Sequence, residues 1–159
     1  MKTKKTLLAA VLIAAIAAAV LYLNPFKKNI SAENERLLKT RILEIDKSVE
    51  TVKLSELTPF KWDEVYSFAP YMSREDIHNA IGYRWSGVKE TVNEGMNQIL
   101  FMNKGKVVCY VYGYPSNNGY GITFNEESYK NGTAAFKYED DISFSVSSED
   151  NYISLIYEK

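Results

Sequence analysis

Apolar residues recur at Leu38, Ile42, Ile45, Val49 and Val52, at spacings of 4, 3, 4 and 3. That is the period of one narrow helical face, with charged residues around the rest of the turn. Ser31 stands as the N-cap, and Glu33 and Glu35 fall in the first turn, where the helix dipole favours anions. The pattern predicts a helix from residue 32 to near 48. From Thr51 to Thr58 the helical period gives way to alternation, with Val52, Leu54 and Leu57 inward. This reads as an extended linker or a weak strand, and Thr58-Pro59 stops any helix there. Trp62–Phe68 alternates as a strand, with Trp62, Glu64, Tyr66 and Phe68 on one side and Asp63, Val65 and Ser67 on the other. Ala69-Pro70 ends it. Ser73 and Asp76 form a capping-box variant at the start of a two-turn helix whose apolar face is Ile77, Ala80 and Ile81. Gly82 is placed to end that helix in the left-handed conformation.

Beyond a polar, glycine-bracketed loop (86–95), the period becomes two. Asn97–Asn103 and Lys106–Tyr114 flank Lys104-Gly105, which predicts a hairpin with a two-residue turn. That turn sets Met102 opposite Val107, Leu100 opposite Cys109 and Gln98 opposite Val111. Ile99, Phe101, Val108, Tyr110 and Tyr112 occupy the other face. A three-residue bulged loop would shift these pairs while keeping the alternation. Both faces are apolar, so the two strands are expected in the middle of a sheet. Pro115–Gly119 reads as a loop. Tyr120–Phe124, Ala134–Tyr138, Ile142–Val146 and Tyr152–Tyr157 read as further strands. Helices come early and strands late, with no βαβ rhythm. The expected class is α+β: helices with an antiparallel β-meander, preceded by a transmembrane helix.

That transmembrane expectation comes from Leu7–Leu23, 17 uninterrupted apolar residues behind Lys2, Lys4 and Lys5. The length is at the short end of a bilayer-spanning helix. Two readings fit. A signal peptide would be cut near Ala17-Ala18-Ala19; a signal anchor would stay. The anchor is favoured because Val20-Leu21-Tyr22-Leu23 continues the apolar run past that site, and because Tyr22 and Phe26 suit the membrane interface. The basic residues before the run orient the C-terminal domain outside, although Lys27 and Lys28 on the far side weaken that bias. No cysteine lies near the end of the run, so no lipid anchor is expected. The organisation expected is a signal anchor with its flanks over 1–28, an amphipathic helix and linker over 29–58, and an α+β domain over 59–159. The localisation expected is the cell membrane, single-pass, with contact through residues 7–23. Secretion after cleavage is the alternative.

Charge sharpens this picture. Residues 1–28 carry five lysines and no acid, while the rest of the chain holds 14 basic and 20 acidic residues. A net-acidic domain is a poor match for phosphate backbones, so no nucleic-acid partner is expected. The single cysteine, Cys109, excludes an internal disulfide, and the single histidine, His78, excludes a His-based metal cluster. Cys109 with His78 could form a nucleophile and base, but Cys109 stands among Val107 and Val111, where burial leaves a thiol inert. Glu126-Glu127, Glu139-Asp140-Asp141 and Glu149-Asp150 match no calcium-loop spacing and read as acidic turns. Asn131-Gly132-Thr133 has the spacing of a glycosylation sequon, a pattern common by chance. There is no P-loop, no GxGxxG and no GxSxG. No catalytic residue, metal or cofactor is assigned. The binding candidate is the aromatic stretch YVYGYPSNNGY, with Tyr110, Tyr112, Tyr114, Asn117, Asn118 and Tyr120, because tyrosines set among Asn and Gly make adaptable contact surfaces. The competing reading is a strand end and a turn.

The order FKWDEVYSFAPY, then a capped helix ending AIG, then MNQILFMNKGKVV, resembles a group of small uncharacterised membrane-anchored or secreted proteins of Gram-positive bacteria. The resemblance covers residues 54–115 and implies no particular activity. More distantly, helix before meander is similar to the BamE/SmpA and β-lactamase-inhibitor-like folds, which act by binding protein. The functional expectation is a membrane-anchored extracytoplasmic domain that binds protein or cell-envelope material without catalysis. The alternatives are a small envelope enzyme using carboxylates, and a secreted structural domain.

Overall fold

The computed structural model describes residues 29–158. The apolar run at 7–23, and the anchor assigned to it, lie outside the described residues. Helix α1 (Ile30–Leu43) is capped by Asn29, whose side-chain oxygen accepts a hydrogen bond from the Ala32 N–H. The cap is therefore Asn29 and not Ser31, which is buried in the first turn. The helix also stops at Leu43, short of the expected residue 48. Asp46 accepts from both the N–H and the hydroxyl of Ser48, a local turn that competes with helix continuation. The apolar seam outlives the helix: Leu38 and Ile42 are fully buried, and Ile45 and Val52 pack on the same core from non-helical chain.

The extended stretch at Thr51 is a three-residue strand, β1 (Thr51–Lys53), followed by a single helical turn, α2 (Leu54–Leu57). Leu54 and Leu57 point into the core as expected. Strand β2 (Glu64–Phe68) leads into helix α3 (Arg74–Ile81). The Ser73 Oγ accepts the Asp76 N–H at 3.1 Å and donates to the Asp76 carboxylate at 2.6 Å, and Gly82 closes the helix at φ 79°, as the sequence predicts. Then come β3 (Asn97–Asn103), β4 (Lys106–Gly113), the one-turn helix α4 (Pro115–Asn118) in place of the expected loop, and β5 (Tyr120–Phe124). The last three strands are β6 (Thr133–Lys137), β7 (Ser143–Glu149) and β8 (Tyr152–Tyr157).

The class is α+β, but the strands do not form one meander. They form two four-stranded sheets, ordered β1-β7-β8-β5 and β4-β3-β2-β6. All pairs are antiparallel except β5 with β8, which run parallel. The departure is caused by three long-range pairings, β6 beside β2, β8 beside β5 and β1 beside β7, which no local turn signal marks. The inner faces of the sheets meet in one core. Val65, Ile99, Phe101, Cys109 and Val111 come from one sheet, and Ile122, Phe124, Phe144 and Leu155 from the other. Leu38, Ile42, Leu54 and Leu57 close its side, so residues 29–58 share one core with the strands from β2 onward.

A β-bulge decides which hairpin residues face that core. Met102 pairs with Val107 as the two-residue turn predicts, but the register shifts next to Phe101, which pairs with Cys109; Leu100 then pairs with Tyr110, and Ile99 with Val111. Val108 is the extra residue. Cys109 and Val111 therefore join Ile99 and Phe101 in the main core, not Leu100 and Met102, and Tyr110 goes to the outer face. Trp62 is a second correction. It precedes β2, so strand alternation does not govern it, and it sits on the side of Val65, with its indole N–H donating to Thr58 Oγ1 at 2.8 Å. Tyr66 and Phe68 lie on the outer face, beneath Ile77 and Ile81 of α3.

Candidate binding site

The six residues of the tyrosine-rich stretch lie in three different environments. Tyr110 and Tyr112 stand side by side on the outer face, ring centroids 5.8 Å apart and 27° from parallel. Their hydroxyls are already engaged. That of Tyr110 accepts from the Lys89 N–H at 3.2 Å and from Gln98 Nε2 at 3.0 Å, and that of Tyr112 donates to the Glu90 carbonyl at 2.9 Å. The Lys89 ammonium lies 5.2 Å from the Tyr112 ring centre, and Trp85 meets Tyr110 edge-on at 5.3 Å. This pair clamps the loop after α3 onto the sheet. Tyr114 is 39% exposed and Asn117 is exposed, so both are accessible. Asn118 is half-buried, and Tyr120 is fully buried. Of the six candidate residues, Tyr114 and Asn117 are therefore the exposed ones.

Tyr120 carries a hydroxyl with no hydrogen-bond partner among the described groups. Burial, with the Glu35 carboxylate nearby, pushes its pKa up. An unmade hydrogen bond at a buried hydroxyl costs stability, and removing the group relieves that cost. Tyr120→Phe is therefore expected to stabilise the fold by about 1 kcal/mol, read as a higher urea midpoint. A lower midpoint would mean that the hydroxyl is held by a partner such as a bridging water.

Cys109 is fully buried, and burial together with the Glu35 carboxylate raises its thiol pKa, which leaves it unreactive. His78 lies on α3 beyond the opposite face of the sheet, where its Nε2 is 3.0 Å from the Trp85 carbonyl. Cys109 and His78 therefore form no catalytic pair. Among the described residues no group of three or more His, Cys, Asp or Glu side chains could hold a metal ion.

The structure brings together a different surface, along β6. The far edge of the same sheet, β4, is covered by α1, with Asn34 Nδ2 donating to the Val108 carbonyl at 2.9 Å. The β6 edge has no such cover among the described residues. Ladder bonds alternate along an antiparallel pair. The Gly132 carbonyl and the Tyr138 N–H bond toward β2, so Ala134 and Phe136 do the same, and the N–H and C=O of Ala135 point outward. Thr133 is tied by both backbone groups to Lys130, and the Lys137 N–H donates to the Asp140 carboxylate at 2.7 Å, so the open window centres on Ala135. Two adjoining hollows, about 360 and 680 Å³, share Tyr66, Ala135 and Phe136 as their common wall. Lys130, Glu127 and Asn125 border the larger one, and Glu64, Lys137, Glu139 and Asp140 the smaller. Burial, and then the Glu64 carboxylate that accepts the Tyr66 hydroxyl at 3.0 Å, push that phenol's pKa up to about 12, so it stays a neutral donor.

This groove offers one free backbone donor and acceptor, aromatic walls and charges of both signs. Such a set has the features by which a sheet edge can receive an extended chain. Sequence reasoning missed it. The available signal was Ala135, a small outward-facing residue on a strand bracketed by Lys130 and Lys137, a composition typical of a sheet edge. Comparison with protein-family models, with curated proteins and with solved structures found no match.

Proposed function

We propose that the chain is a single-pass membrane-anchored extracytoplasmic domain that binds an extended segment of a protein or envelope component without catalysis. The observation that carries the binding part is the open window at Ala135, with Tyr66 and Phe136 beside it. An added strand would draw affinity from the Ala135 backbone and selectivity from the aromatic walls. The anchor rests on the apolar run and its lysines.

Proline at position 135 tests the binding part. It removes only an N–H that no ladder bond uses, which an edge strand tolerates. In a membrane-fraction pull-down with the full chain, Ala135→Pro is expected to lose the bound component at least about tenfold, with its thermal midpoint near that of the parent. Tyr114→Ala should leave binding intact. Retention by Ala135→Pro with loss by Tyr114→Ala would move the site back to the tyrosine stretch. A mature chain beginning at Val20 would replace the anchor with secretion.

A second reading, an envelope enzyme using carboxylates, draws on Glu64, Glu139 and Asp140 around the smaller hollow. Glu64 is engaged by the Tyr66 hydroxyl, Asp140 by the Lys137 N–H, and Glu139 lies 3.7 Å from the Lys137 ammonium. Three acids already committed to neighbours favour the binding reading.

A further inference from the structure

We propose that the end of the domain around Asn29 rests flat on the surface of an anionic bilayer, so that the domain is held in one orientation instead of swinging on its tether. The inference rests on the anchor reading. Five residues, Asn24–Lys28, separate the apolar run from Asn29. Fully extended they reach about 18 Å, less than the span of the domain, so this end must stay near the lipid.

That end is built from three parts of the chain. Ile30 and Ser31 at the start of α1, Tyr83 and Trp85 after α3, and Lys106 at the start of β4 surround an open hollow of about 670 Å³. Ile30 is 60% exposed although it is a large aliphatic residue. Trp85 is half-exposed, and the Tyr83 hydroxyl accepts the Val107 N–H at 2.8 Å, which fixes the aromatic pair against the hairpin turn. Around this apolar centre the exposed charges on the turn and after α3 are basic, with Glu33 in the first turn of α1 as the acid beside them. Lys104 and Lys106 are exposed on the turn, and Arg84 is exposed between the two aromatics; in the sequence, Lys27 and Lys28 immediately precede Asn29. The nearby Asp63 carboxylate accepts the Lys104 N–H at 2.6 Å and keeps its negative charge. The domain as a whole is acidic, so a basic patch at the end facing the membrane runs against its average. Exposed aliphatic and aromatic side chains ringed by lysine and arginine are what an anionic headgroup layer receives: the rings enter the interface and the cations meet the phosphates. A protein partner at this end would have to fit within the same short gap.

The tryptophans supply the test. The chain has two, Trp85 in this patch and Trp62 in the core at 6% exposure, and none in residues 1–28. The full chain is reconstituted in vesicles with brominated acyl chains, either anionic or zwitterionic. The expected result is quenching of Trp85 in anionic vesicles, falling at least about threefold in zwitterionic vesicles or at about 0.5 M salt. Lys104→Glu with Lys106→Glu should give the same fall, and Trp85→Phe should remove the quenched component. A chain that resists alkaline extraction but shows no quenching of Trp85, or quenching indifferent to lipid charge and salt, overturns the docking while the anchor stands. A chain released by alkaline extraction overturns the anchor, and the docking with it.

Discussion

A chain that begins at residue 59 is expected not to fold cooperatively. The sequence alone draws a boundary there, between an amphipathic helix with its linker and the α+β domain. The core does not respect it. Leu38, Ile42, Leu54 and Leu57 are all 3% exposed or less and belong to the cluster that contains Phe101 and Phe144. Burying four such side chains contributes about 6–12 kcal/mol, comparable with the whole stability of an ordinary domain. The cut also strips β1 from β7, where Val52 pairs with Phe144, and α1 from the edge of β4. The shortened chain should therefore lose its near-ultraviolet dichroism and show no sigmoidal urea transition. A sharp urea transition with a midpoint close to the parent's would restore the boundary at 58 and make α1 a separable stalk.

Phe101→Ala should cost about 3–5 kcal/mol. Phe101 is fully buried, meets Phe60 and Trp62 edge-on at 5.5 Å each, and stands opposite Cys109. Its removal leaves a cavity between the Phe60 and Trp62 rings, both from the segment before β2, and Cys109 on the neighbouring strand, and such a site relaxes only partly. In urea the midpoint should fall with an unchanged slope, which marks lost stability instead of a changed denatured state. The same residue tests the bulge. In the bulged register Phe101 and Cys109 face the same core, so Phe101→Ala and Cys109→Ala should couple by about 0.5 kcal/mol or more in a double-mutant cycle. Strict additivity would fit the unbulged register, in which the two residues lie on opposite faces of the sheet.

What could be read from the sequence depended on how local its cause is. Ser73 with Asp76, and Gly82, mark the two ends of α3 within a few residues, and the helix lies between them. Tyr120–Phe124 and Tyr152–Tyr157 are bounded by turn residues and fold as strands over those spans. The bulge at Val108 was illegible because Val107, Val108 and Cys109 are all apolar, so no polar residue marks the slip. The fate of Tyr120 was illegible for a related reason. Its ring and hydroxyl suit either a surface or an interior, and only the crossing of α1 over β4 and β5 decides. The groove beside Ala135 depends on β6 lying outside β2, a pairing across more than sixty residues that alternation cannot announce.

The order of the first sheet, β1-β7-β8-β5, has a consequence in time. The last of the described strands, β8, lies in the middle, between β7 on one side and β5 on the other. A polypeptide emerging N-terminus first, from a ribosome or through a membrane, presents β5 with Ile122 and Phe124 well before its partner exists. The second sheet can assemble once Lys137 has emerged, but half of the core has nothing to close against it until Tyr157 arrives. Completion of this fold is thus tied to the emergence of β8, which comes after every other described strand in sequence order. During that interval the exposed strand is the part of the molecule most in need of protection from its own copies.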